Sequence, residues 1–246
     1  MAGQRPIHLV EKMDDPAVSP ADLADSLRFI RWVNRNLGGS AAVLNHLQAW
    51  ADGWPSGEQT ICMLDVATGS ADVPMAVLAW AAGTGRKLQI IGLDNHAQTL
   101  ALAQAWGSAA AGVKLVRGDA FRLPLADGAV DYAFTGMFLH HLTEAQALAV
   151  LREMLRVSRR GIIVSDLLRG PLYQAAIWLM TVFARPMVRH DARLSVKKGW
   201  RRCEVSAWPG KLNAPWLRLH IHWAGRFTLA GEAPLARREQ VNVDQV

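Results

Sequence analysis

Two kinds of hydrophobic pattern alternate through the middle of the chain. Short, nearly unbroken apolar runs occur at "ICMLDV" (61–66), "LQIIGLD" (88–94), "VKLVRGD" (113–119), "VDYAFTGM" (130–137) and "GIIVSDLL" (161–168). Runs of this length, apolar on both faces, suit strands buried between two layers of helix. Between them lie "DVPMAVLAWAA" (72–82), "AQTLALAQAW" (97–106) and "TEAQALAVLREMLRVS" (143–158), which read as helices. Asp72 is a candidate N-cap with Pro74 in the first turn, and Thr143 can cap the third helix. Strands that alternate with helices in this way predict a parallel, doubly wound α/β sheet.

The ends follow other patterns. Residues 20–52 read as one or two helices, broken at Gly38–Gly39. "LRLHIHW" and "RFTLAG" (217–231) alternate around Ala224–Gly225 and read as an antiparallel hairpin. The expected organisation is an N-terminal helical cap (1–54), a ligand-binding core (55–168), a lid insertion with the closing hairpin of the same domain (169–232), and a loose tail (233–246). "YQAAIWLMTVFA" within the lid is too short to span a bilayer, though it could rest on a membrane surface.

The turn after the first strand, "LDVATGSAD" (64–72), carries the first chemical information. A dinucleotide fingerprint there needs three glycines, because the backbone must approach a pyrophosphate. This chain has Ala67, Gly69 and Ala71. Gly69 can supply the tight turn, while the two methyl groups would crowd a pyrophosphate and a phosphate-free ligand less. On this reading, Ala67→Gly would keep or improve ligand affinity at a small cost in stability. No Lys follows, so the turn is not a P-loop. Asp65, Asp94 and Asp119 each end a strand. Three carboxylates along one cleft disfavour an anion and suit a cationic ligand with a ribose and an adenine, such as S-adenosylmethionine. That ligand's carboxylate could use free N–H groups of the turn.

Charge and composition narrow this little. The net charge is +6 and the pI about 9.8, but the basic residues are scattered. "VKKGWRR" (196–202), the densest group, reads as a solvated loop as readily as a basic patch. Cys62 and Cys203 give neither a disulfide framework nor zinc spacing. Acids occupy the N-terminus where a signal peptide needs an apolar run, and no stretch is long enough to cross a membrane, so the cytoplasm is expected.

"LDVATGSAD", "GLDNHAQTLALA", "VRGDAFRLPL" and "DYAFTGMFLHHL", continued by "LREMLRVSRRGIIVSDL", resemble in order and spacing the motifs of the class I S-adenosylmethionine-dependent methyltransferases. The likeness covers roughly residues 60–168 and looks closest to the quinone-biosynthesis and bacterial natural-product branch. It implies a mostly parallel seven-stranded sheet of the Rossmann-like methyltransferase kind, with S-adenosylmethionine as cofactor. It further implies that Asp65 helps hold the methionine end, that Ala67 and Gly69 belong to the cofactor-binding turn with Gly69 making its close bend, and that Asp94 binds the ribose. Asn95 and His96 would flank the adenine, Asp119 and the Ala120 N–H would meet its edge, and Thr135 to Met137 would lie under the methionine moiety.

A hydroxyl acceptor would also need a base, and a histidine has a suitable pKa near neutrality. His141 follows the fourth strand and is the first candidate, with its neighbour His140 as a helix-start residue. "RPMVRHDARLSV" (185–196), placed between predicted elements, offers His190 as a second base, with Arg189 and Asp191 beside it as substrate contacts. Trp32 and Trp178 are candidate substrate residues among the lid aromatics Phe29, Tyr173, Phe183 and Trp200. His220 and His222 share a strand face without an evident third ligand, so no metal is expected. The function that follows is methyl transfer, most simply to oxygen, on a small aromatic, polyketide or quinone-like acceptor. Two alternatives stay open: an RNA methyltransferase, and a cofactor-binding protein without catalysis. "TGMF" after the fourth strand departs from the Asn/Asp-Pro-Pro-aromatic motif of amino-methylating nucleic-acid enzymes, so no nucleic-acid partner is expected. The oligomeric state is not legible.

Overall fold

A computed structural model describes residues 5–54 and 59–234. The five expected strands form as β1 (Ile61–Val66), β2 (Leu88–Asp94), β3 (Val113–Arg117), β4 (Val130–Gly136) and β5 (Ser158–Leu167). They lie parallel in the order β3-β2-β1-β4-β5, and the hairpin β6 (Arg218–His222) and β7 (Arg226–Glu232) extends the sheet antiparallel beyond β5, with β7 innermost. The strand order therefore reverses between β1 and β4, which opens a crevice at their carboxyl ends.

The crossover helices are α3 (Asp72–Gly83), α4 (Ala97–Ala105) and α5 (Glu144–Val157). Thr143 caps α5 in a reciprocal box with Gln146, as the sequence suggests. Asp72 does not cap α3. The N-cap is Ala71 in the left-handed region, and Asp72 is the first helical residue, its carboxylate bonded by Ser70 Oγ at 2.9 Å and Asn34 Nδ2 at 3.0 Å. The helix start was read one residue late because a left-handed alanine is an uncommon cap.

Two helices precede the sheet, α1 (Pro20–Asn36) and α2 (Gly39–Trp50). The break falls where expected, because Gly38 takes φ +80° and a Cβ on Gly39 would stand 2.2 Å from Asn34 Oδ1. After β5 come α6 (Pro171–Met180), α7 (Pro186–Lys198), α8 (Arg202–Ser206) and α9 (Trp208–Lys211). The "RHD" sequence lies inside α7 and not in a loop. "VKKGWRR" is not a solvated loop either. Lys198 and Trp200 are 2% and 1% exposed, and Trp200 packs edge-on against Trp208 at 4.7 Å. Trp200 is therefore core and not lid.

In contrast, α6 buries none of its residues. One side carries Tyr173, Ala176, Ile177 and Met180 toward the crevice, and Leu172, Trp178 and Leu179 stand in solvent. No helix among the described residues is long and apolar enough to cross a membrane. The expected loose tail falls largely on 235–246, outside the described residues.

Candidate active site

A cavity of about 580 Å³ occupies the crevice above β1 and β4. Its walls come from the β1 turn, the ends of β2 and β4, α1, the α6–α7 pair and, unexpectedly, the N-terminal segment through Glu11, Met13 and Asp14.

Asp65, Asp72 and Asp94 form one acidic group in the cavity wall. Asp65 is 4% exposed and accepts from Thr68 Oγ1 at 2.7 Å. Burial, reinforced by Asp72 and Asp94, pushes its carboxyl well above the usual range. Asp94 accepts from the Gly69 N–H and the His96 N–H, both at 2.9 Å, and burial raises it despite those bonds. The turn itself is left-handed at Ala67 (φ 58°), Gly69 (φ 54°) and Ala71 (φ 55°). It keeps the shape a glycine-rich loop would have. Its N–H groups are not free in the way expected, since Thr68 donates to Leu93 O, Gly69 to Asp94 and Ala71 to Thr68 O.

Asn95, His96 and Met137 line the cavity. Met137 takes φ 56° and donates its N–H to Ser165 O at 2.9 Å. Thr135 does not line it. Its hydroxyl is buried and bonds Val66 O at 2.7 Å, tying β4 to β1. Asp119 and Ala120 also lie outside the lining. Asp119 is exposed and holds its own turn by accepting from the Phe121 N–H at 2.9 Å.

The histidines form a second group in the lining. Both His140 and His141 line the cavity, with ring centroids 4.3 Å apart. His140 is 1% exposed, and Asp166 grips it through Nδ1 at 2.7 Å and through its backbone N–H at 3.0 Å. That double grip agrees with a helix-start role. His141 is more open, with Nδ1 at 3.0 Å from Asp14 Oδ2 and Nε2 at 3.9 Å from Glu11 Oε1. Burial alone would lower its pKa, but Glu11 and Asp14 outweigh burial and raise it.

Glu11, 2% exposed, also receives Ser195 Oγ at 2.9 Å and Lys198 Nζ at 3.5 Å. Among the described residues, Glu11, His140 and His141 come nearest to a metal-binding group, with ligand atoms within 4.8 Å of one another. The Lys198 ammonium already supplies positive charge there.

The second base candidate is elsewhere. His190 is outside the cavity lining with its side chain 46% exposed, although its Nδ1 does meet Asp191 at 2.8 Å. Asp191 lines the cavity but is spent on the N-terminal segment, accepting from the Lys12 and Met13 N–H groups at 2.9 Å each. Arg189 is outside the lining and donates to Val182 O. Trp32 and Trp178 are 47% and 57% exposed and also lie outside it. Trp32 stacks on Phe29, and Trp178 lies under Arg193. Of the lid aromatics, Phe29 and Tyr173 line the cavity, and Phe183 is fully exposed. His222 bonds Thr228 Oγ1 at 2.9 Å, and His220 packs on His46.

Sequence reading missed Glu11, Asp14, Asp72 and Arg226 in the cavity wall. The acids of "EKMDD" were visible, but nothing local reveals that they fold back 130 residues onto the histidines.

An acid-lined crevice at the switch point of a 3-2-1-4-5-7-6 sheet agrees with the resemblance of the sequence to the class I S-adenosylmethionine-dependent methyltransferases. Residues 63–161 match the methyltransferase domain family. Demethylmenaquinone methyltransferase from Staphylococcus epidermidis is 34% identical over 98 residues, which are 40% of this chain and 39% of that protein. The Staphylococcus aureus protein of the same name is 28% identical over 153 residues, 60% of this chain and 61% of that one. The chain thus matches less than two thirds of either relative. Among solved structures, magnesium protoporphyrin IX methyltransferase from Synechocystis with bound S-adenosylhomocysteine superposes with a TM-score of 0.59 at 13% identity, covering 87% of this chain and 97% of that one. Human N-acetylserotonin methyltransferase in complex with S-adenosylmethionine gives 0.60 at 16% identity, covering 87% and 56%.

The cavity fits the family's cofactor. Its acidic group suits a sulfonium and an ammonium and repels phosphate. The Ser26 hydroxyl in the wall is buried without a protein partner, as an atom waiting for a ligand would be.

Proposed function

We propose that the chain transfers a methyl group from S-adenosylmethionine to a hydroxyl oxygen of a small aromatic or quinone-like acceptor. One observation carries the reading: a single cavity joins the acidic β1 turn to His141. When bound, the cofactor supplies an already activated methyl electrophile. Asp65 and Asp94 would hold its cationic and ribose ends. Phe29, Ile177, Met180 and Tyr173 make an apolar wall that excludes water and suits a flat acceptor. His141 would take the acceptor's proton at Nε2, with Asp14 fixing the ring through Nδ1 and Glu11 stabilising the charge that forms. The names of the staphylococcal relatives support a quinone-like acceptor.

Calorimetry should show S-adenosylhomocysteine binding in the micromolar range, roughly −8 kcal/mol. Asp94→Ala should weaken it by about 1.5–3 kcal/mol. Across a panel of phenols and hydroquinones, His141→Ala should cut turnover by about 10²–10⁴-fold with cofactor affinity kept. Native cofactor affinity in Asp94→Ala would remove the ribose assignment. Native turnover in His141→Ala would remove the base.

A further inference from the structure

Arg226 opens β7 opposite Leu167 and lines the cavity while only 3% exposed. A guanidinium has five donors and does not shed its proton to relieve burial. Here Nη1 donates to Ser165 Oγ at 3.1 Å, and Nη2 faces Met137 Sδ at 3.5 Å, a weak acceptor. Among the described residues no carboxylate lies within 4.0 Å of it; Asp166 and Asp72 act on it only from farther away. Other shielded arginines have strong partners: Arg5 spends its guanidinium on three backbone carbonyls and the Trp200 face, and three more meet carboxylates. Arg159 and Arg160 hold Asp131 at 3.0 and 2.9 Å, and Arg169 holds Glu204 at 2.6 Å. A buried cation without a close anion is destabilising, so a fold retains one where an anion arrives later.

We propose that Arg226 is an anion-binding residue that receives an ionised oxygen of a small molecule bound in the cavity. Two sources share this chemistry: a deprotonated hydroxyl or carboxylate of the acceptor, and the carboxylate of the cofactor's amino-acid end. The first would complement His141, since removing a proton from the acceptor leaves an oxyanion for Arg226 to neutralise. Naming these sources rests on the methyltransferase reading. The charge argument itself does not.

Arg226→Met keeps the length of the side chain and removes the charge, and Arg226→Lys keeps the charge without the fork. Binding is read by calorimetry with three probes: S-adenosylhomocysteine, 2-naphthoate and its neutral isostere 2-naphthamide. Thermal melting of the ligand-free protein is measured alongside. The expected result is an unchanged or raised Tm in Arg226→Met, about tenfold or greater loss of affinity for one of the two carboxylate-bearing probes, unchanged binding of the amide, and an intermediate loss in Arg226→Lys. Loss confined to S-adenosylhomocysteine assigns the cofactor's carboxylate, and loss confined to naphthoate assigns the acceptor. Native affinity for both carboxylate-bearing probes overturns the proposal. So does a lowered Tm with equal loss of all three probes, which marks a structural arginine. If wild-type protein fails to bind S-adenosylhomocysteine, the methyltransferase reading falls, and naphthoate against naphthamide still decides Arg226.

Discussion

Ala67 and Ala71 are the residues whose roles changed most between sequence and structure. As departures from glycine they suggest a relaxed turn. In the fold both adopt the left-handed conformation that glycine would take. An L-residue there costs about 1–2 kcal/mol, while glycine's greater freedom in the unfolded chain costs roughly 0.5–1 kcal/mol. Ala67→Gly should therefore raise stability by about 0.5–1 kcal/mol in urea unfolding, the reverse of the small loss expected of a relaxed loop. Ala71→Gly should gain less, because its methyl is fully buried against Ala103 and Val113; an equal or larger gain there would contradict this account. His141 is the second residue-scale case. Its folded pKa is raised, chiefly because Glu11 and Asp14 overcome burial. Protonated His141 thus stabilises the fold below its unfolded pKa, and this contribution is lost as pH rises through the folded value. The neutral ring that can act as base forms over the same rise. An NMR titration of the imidazole should place its midpoint above that of an ordinary histidine, and Asp14→Asn should move it toward acid. An unmoved midpoint in Asp14→Asn would detach Asp14 from the base.

Among the elements, the N-terminal segment gains most from the tertiary structure. Read locally it is a polar stretch without helical or strand period. In the fold it is a strap across the cavity. Arg5 stacks 3.4 Å from the Trp200 ring and donates to the carbonyls of Lys198, His140 and Leu142. Asp191 then holds the Lys12 and Met13 N–H groups, which sets Glu11 and Asp14 over the histidines. Hydrogen bonds to a charged group contribute about 1.5–3 kcal/mol. Arg5→Ala should accordingly lower amide-exchange protection across residues 5–15 by about tenfold or more, with the sheet unaffected. Unchanged protection would mean that Asp191 holds the strap without Arg5. The lid was legible as apolar and aromatic, but its helix α7 absorbed the "RHD" sequence, with Val188, Asp191, Ser195 and Lys198 buried at helical spacing. His190 consequently turns outward.

For the molecule as a whole, the sequence by itself determined the sheet, its parallel core, the closing hairpin and the acidic turn. Strand and helix periods are local, and a strand-end carboxylate or a turn glycine announces itself within a few residues. Asp65, Gly69, Asp94 and Met137 reached the cavity for that reason. What only the tertiary structure decided is which distant groups share that cavity. Asp119 and Asp94 look equivalent in the sequence, yet one side chain holds a surface turn and the other the β1 loop. His140 and His141 are neighbours, yet Asp166 claims the first and the strap's Asp14 the second, across 26 and 127 residues. Arg226 reads as an ordinary strand-start arginine, and its isolation from any close carboxylate exists only after β7 pairs with β5. Desolvation and charge pairing depend on distances through space, and a one-dimensional pattern does not encode those distances.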